Sequence, residues 1–109
     1  MAHISTHVLD LARGKPAAGI SLELHHGLVP RATTQTNADG RTAKPLVQAE
    51  SLAPGAYSIT FHVGDYFRAQ NIEGFYEHIT VSFVVKDVHA NYHVPLLLSP
   101  YGYSTYRGS

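Results

Sequence analysis

The chain has 109 residues, a formal net charge of zero with histidine neutral, and 15% charged residues. This length suits a single domain over residues 1–109 that buries roughly two-thirds of its unfolded surface, and the charge balance offers no basic stripe for nucleic acid. The absence of cysteine excludes disulfides and thiol chemistry, and no apolar run approaches the ~20 residues of a membrane span.

The opening MAHISTHVLD lacks the basic segment and apolar run of a signal peptide, so a soluble, cytoplasmic protein is expected. Its alternation predicts a strand over residues 3–10, with Ile4, Thr6 and Val8 on one face and His3, Ser5 and His7 on the other. After the turn signal RGKPA, ISLELHH predicts a strand over 19–26, with Ile20, Leu22 and Leu24 on its core face. RATTQTN predicts a polar strand over 31–37 that ends in the turn NADGR, and a further strand is expected over 44–48. AYSITFHVG predicts a strand over 56–63, with Tyr57, Ile59, Phe61 and Val63 inward. GDYFRAQN is the one helical candidate, about two turns long, with Asp65 as a fair N-cap. Strands over 78–86, 90–98 and 101–107 complete the pattern, separated by further turn signals. Many short alternating strands with regular turns predict an all-β sandwich.

The chain carries eight histidines, the side chain whose ordinary pKa lies nearest neutrality. In NYHVPLLLSP the core face is Tyr92, Val94, Leu96 and Leu98, which leaves His93, Pro95 and Leu97 pointing away. His7 and His93 therefore both stand on non-core faces. A partly apolar outer face bearing histidines suggests a subunit interface or a pocket. In the tail, Tyr103, Thr105 and Arg107 alternate with Ser104, Tyr106 and Gly108.

Several chemistries fail on spacing. His3 and His7 are four apart, but four residues of strand span ~13 Å, too far to share one zinc ion. His25 and His26 point to opposite faces, and no serine sits in a Gly-x-Ser-x-Gly elbow. Water is the more economical nucleophile, with His7 and His93 as general base and partner and an arginine steadying a developing oxyanion. Taken alone, Arg41 after the NADG turn reads as a solvated loop residue, and Arg107 and Ser109 as a frayed end. Residue types alone leave two readings open, an enzyme with a histidine-lined pocket and a plain interaction sandwich.

Over nearly its whole length the chain resembles the 5-hydroxyisourate hydrolases of the transthyretin-related protein family. The resemblance rests on STHVLDLARGKPA, TNADGR, GDYF, FYEHITVSF and HVPLLLSPYGYSTYRGS. The closing Tyr-Arg-Gly-Ser is the most specific of these elements, because transthyretin itself lacks it. The resemblance implies a transthyretin-like eight-stranded sandwich of two four-stranded sheets with one short helix. It also implies a homotetramer, a dimer of dimers whose sites line a central channel. It implies that His7, Arg41, His93 and Ser109 are catalytic, and that Ser104, Tyr106, Arg107 and Gly108 bind substrate. The implied reaction is ring-opening hydrolysis of 5-hydroxyisourate to 2-oxo-4-hydroxy-4-carboxy-5-ureidoimidazoline in urate degradation. No cofactor is implied, and zinc among the channel histidines would be incidental. The competing reading is a transthyretin-like carrier that binds a small molecule without chemistry.

Overall fold

Alternation along the strands dictates the architecture. A computed structural model describes residues 1–109 and arranges them as β1 (Ala2–Asp10), β2 (Lys15–Pro16), β3 (Ser21–His26), β4 (Val29–Gln35), β5 (Val47–Ala49), β6 (Gly55–Phe61), α1 (Val63–Arg68), β7 (Ile79–Val85), β8 (Tyr92–Ser99) and β9 (Gly102–Thr105). Two sheets form, one in the order β4-β3-β6-β7 and the other in the order β2-β1-β8-β9. Apolar residues from both inner faces meet in a core of 21 buried side chains, with Phe61, Phe67, Ile4, Ile20 and Leu96 among the largest. The expected two-sheet sandwich is thus realised, with one short strand, β2, that the sequence did not suggest and another, β5, shorter than expected.

Those short strands have a common cause. β1 pairs in parallel with β8 along one side, while three separate pieces of chain share its other side. β5 pairs with Ala2–Ile4, Arg41 forms a bridge to His7, and β2 pairs with Leu9 and Asp10. The strand expected over 44–48 is therefore only Val47–Ala49, and β2 was not expected at all.

The helix begins before the expected cap. His62 occupies the N-cap position without a side-chain hydrogen bond, and Asp65 sits inside the first turn. There its carboxylate accepts from Arg68 at 2.6 Å, so it supports the helix through an i,i+3 pair instead of a cap. Arg68 also donates to both oxygens of Glu77, at 2.8 and 2.6 Å.

Three buried polar side chains find partners. Thr6 donates to the Val94 carbonyl at 2.6 Å, which ties β1 to β8 on the core side. Asp10, at the end of β1, accepts from the Tyr66 hydroxyl at 2.7 Å and from the Arg13 backbone. Burial first, and then this carboxylate, push the Tyr66 phenol above its ordinary pKa. Thr36 donates to the Ala17 carbonyl and accepts from the Ile20 backbone. Satisfied buried groups of this kind fix the register of the sheets on which the outer-face residues depend.

Candidate functional site

The core side of β1 takes Ala2, Ile4, Thr6, Val8 and Asp10, so His3, Ser5 and His7 are left half-buried on the outer face. The parallel register sets Ser5 directly opposite His93 and His7 opposite Pro95. Pro95 differs from the sequence expectation in being buried already within the protomer, while Leu97 is half-buried. The outer face around His93 is therefore more polar than alternation alone implied.

The turn after β4 brings Arg41 to this face. The Asn37 side chain accepts from the backbone N–H groups of Asp39 and Arg41, and Gly40 adopts φ +74°. Only glycine fits there, because a Cβ would overlap the Val8 carbonyl oxygen, and the backbone is left-handed. The Gly40 carbonyl accepts from the Val8 N–H at 2.8 Å, which pins the turn beside β1. The same turn offers the Asp39 carbonyl to His7 Nε2 at 2.9 Å. A carbonyl can only accept, so His7 Nε2 carries the hydrogen, and the neutral ring keeps its lone pair on Nδ1.

The C-terminal segment closes the other side. β9 pairs with β8 through Leu96 and Thr105, Leu97 and Ser104, and Leu98 and Tyr103. In this register Tyr106 would lie opposite Pro95, which has no N–H to give, and the Pro95 carbonyl is taken by the Thr105 hydroxyl at 2.7 Å. The strand stops there. It resumes as a single bridge in which Gly108 N–H donates to the His93 carbonyl at 2.8 Å. A Cβ on Gly108 would lie 2.5 Å from His93 Cδ2, so glycine allows the tail to close against the imidazole.

A cleft of about 350 Å³ results, lined by His3, Ser5, Arg41, Asn91, His93 and Ser109. Burial first, then the nearby Arg41, His7 and His3, hold the His93 imidazole below its ordinary pKa. A neutral imidazole, a guanidinium and Ser109 thus share one polar hollow. Such a set can accept a proton from water and bind a polar, planar molecule.

Of the expected site residues, Arg41, His93 and Ser109 line the cleft, Gly108 packs on His93, and His7 stands along β1 on the same face. Ser104 is opposite Leu97, further along β8. Arg107 stands apart: its guanidinium lies 4.4 Å from the centre of the Tyr92 ring on the core side and donates to the Asn91 carbonyl. With Tyr106 it lines a second cleft of about 250 Å³, between the sheets at the β7 and β9 edges, with Val81, Phe83 and Val94. Sequence reasoning did not single out Asn91. His3 and Ser5 were placed on the right face by alternation, but without a role.

The chain matches the HIUase/transthyretin family over residues 4–108. It is 47% identical to a 5-hydroxyisourate hydrolase of Deinococcus radiodurans, over 97% of this chain and 95% of that one. Its fold is similar to that of the 5-hydroxyisourate hydrolase of Klebsiella pneumoniae, with a TM-score of 0.90, 35% identity and full coverage of both chains. It is also similar to sea bream transthyretin in complex with thyroxine, with a TM-score of 0.89 and 27% identity over 96% of this chain and 93% of that one.

Proposed function

The chain belongs to the HIUase/transthyretin family, and from that premise we propose that it hydrolyses 5-hydroxyisourate, opening the six-membered ring at an amide-like C–N bond. The product is 2-oxo-4-hydroxy-4-carboxy-5-ureidoimidazoline, and the setting is urate degradation. The observation that carries this reading beyond family membership is the convergence of Arg41, His93 and Ser109 on a cleft with no apolar residue in its lining. A carrier of a hydrophobic ligand needs the opposite kind of wall.

In this reading His93, kept neutral, takes a proton from water as its oxygen attacks the carbonyl carbon, and later returns that proton to the leaving ring nitrogen. His7 completes the proton network from the neighbouring position on β1. Arg41 binds the substrate oxygens and the developing oxyanion, where a planar fork of donors suits a purine-like edge. Ser109 anchors the far side of the substrate and Gly108 shapes the approach, while Ser104, opposite Leu97 further along β8, and Tyr106, in the second cleft, would have to move to reach it. For Arg107 to reach substrate, its guanidinium must leave the Tyr92 ring.

The cytoplasmic location and the homotetramer belong to the same proposal. No helix is long and apolar enough to cross a membrane. Two features support assembly: β7 and β9 leave unpaired sheet edges on one side of the sandwich, and Val84, Tyr103 and Tyr106 are exposed there. The deciding experiment is an ultraviolet assay with freshly generated 5-hydroxyisourate. Decay well above the spontaneous rate is expected, and decay at the spontaneous rate with intact, folded protein would remove the hydrolase reading.

A further inference from the structure

Resting on the catalytic reading of His93, we propose that Ser5 is a positioning residue that holds the His93 ring with Nδ1 against β1 and Nε2 presented to the polar cleft. Ser5 Oγ lies 2.9 Å from His93 Nδ1 in a partly buried contact. The contact is built into the sheet, because the parallel ladder sets these two residues directly opposite each other, side chains on one face.

The ring has two orientations that differ by exchange of Nδ1 with Cδ2. Gly108 sits against the Cδ2 edge and offers no side chain to prefer either. Ser5 breaks the tie, since the flipped ring would set a C–H against the hydroxyl and lose the hydrogen bond.

The titratable and charged groups facing this imidazole are His3 and His7 on β1 and Arg41 from the turn. No Asp or Glu lines the cleft. The partner at Nδ1 is thus a neutral hydroxyl, where many histidine bases have a carboxylate. A base with its lone pair on Nε2 bears its hydrogen on Nδ1 and donates it to Ser5 Oγ. When Nε2 takes the proton from water, the imidazolium still donates from Nδ1 to the same oxygen. Ser5 accepts in both states, no proton passes along the pair, and the ring is oriented without the gain in basicity that a carboxylate would bring. This arrangement complements His7, whose hydrogen is held on Nε2 by the Asp39 carbonyl. Adjacent strands therefore present opposite ring nitrogens.

The test combines nitrogen spectroscopy with kinetics. Histidine-selective ¹⁵N labelling, with His93 assigned by its absence in His93→Asn, should show Nδ1 protonated and Nε2 bare at neutral pH in the unsubstituted protein. Ser5→Ala should turn this into a mixture of tautomers, lower kcat about tenfold and leave KM within about twofold. Ser5→Thr, which keeps the hydroxyl, should recover most of kcat. A wild-type ring protonated on Nε2, or a Ser5→Ala protein with unchanged tautomer whatever its kcat, would overturn the proposal. Failure of the unsubstituted protein to turn over 5-hydroxyisourate would instead count against the hydrolase reading. The nitrogen shifts would still decide the role of Ser5.

Discussion

Both sheets carry histidines away from the core, and the pair His7 and His93 keeps different company from the pair His62 and His78. On the β1–β8 sheet, His93 faces Ser5, Arg41 and the C-terminal residues, with burial and cations keeping it neutral. On the β3–β6–β7 sheet, His62 lies 3.7 Å from Glu23 and packs edge-on against His78, with ring centres 4.8 Å apart. Around that second pair the surface is polar and open, with Thr60 and Thr80 sharing a hydrogen bond across the strands. Glu77, held by Arg68, sits beside it. Histidine itself is thus uninformative. What separates the two pairs is whether carboxylates or cations surround them, and whether the chain closes over them.

The sharpest way to break this comparison is to substitute all four in parallel. His93→Asn and His7→Asn should each lower turnover of 5-hydroxyisourate by at least about a hundredfold, the scale of a lost acid–base group. His62→Asn and His78→Asn should leave turnover within about twofold. Circular dichroism should show all four folded, because none belongs to the buried core. Equal losses in the two pairs would erase the distinction.

Next in size is the tail. Removing Arg107–Ser109 takes away Gly108, which packs on His93, and Ser109, which lines the cleft, and should lower kcat/KM by about thirtyfold. The sheet should survive, since β9 ends at Thr105. Full activity in the truncated protein would move the chemistry onto His7, Arg41 and His93. Gly108→Ala is milder. Its methyl group would meet His93 Cδ2, so the ring must shift, and kcat should fall about tenfold with little change in melting temperature. An unchanged kcat would mean that the ring has room to yield.

How much of this was legible in the sequence depends on the range of the interaction. Period-two alternation reports a strand's own two faces, so the outward positions of His3, Ser5, His7 and His93 could be read directly. Which strands are neighbours is a long-range outcome. Nothing local says that β1 and β8 run parallel with Ser5 beside His93, although 88 residues separate them. The two-residue β2 is too short to carry a pattern. Asp65 looked like a cap because its residue type suits one, but Arg68 competes for the same carboxylate. Parity placed Arg107 on the face opposite Ser104 and Gly108, in agreement with its position over Tyr92. The expectation that it binds substrate came from resemblance alone.

The smallest expected effect is on stability against pH, and it distinguishes the two regions by window. His93 titrates below its ordinary value of 6.5 when folded, so the unfolded chain takes up that proton first as pH falls. Folding should weaken from about pH 6.5 downward, until the folded imidazole is protonated too. Glu77 is also held below its ordinary value of 4.5, chiefly by hydrogen bonds from Arg68, so the unfolded chain again binds the proton first. Its contribution is present above pH 4.5 and is lost as pH falls from there through the folded value. Because Arg68 and Glu77 are more than half exposed, solvent and salt screen this second effect. Urea midpoints measured from pH 7.5 to 3 on three proteins separate them. His93→Asn should flatten the decline that sets in below about pH 6.5, whereas Arg68→Ala should differ from the parent in slope only below about pH 4.5. If His93→Asn keeps the full decline in its window, the imidazole in the cleft is as accessible to protons as those on the open sheet, and the two regions do not differ electrostatically.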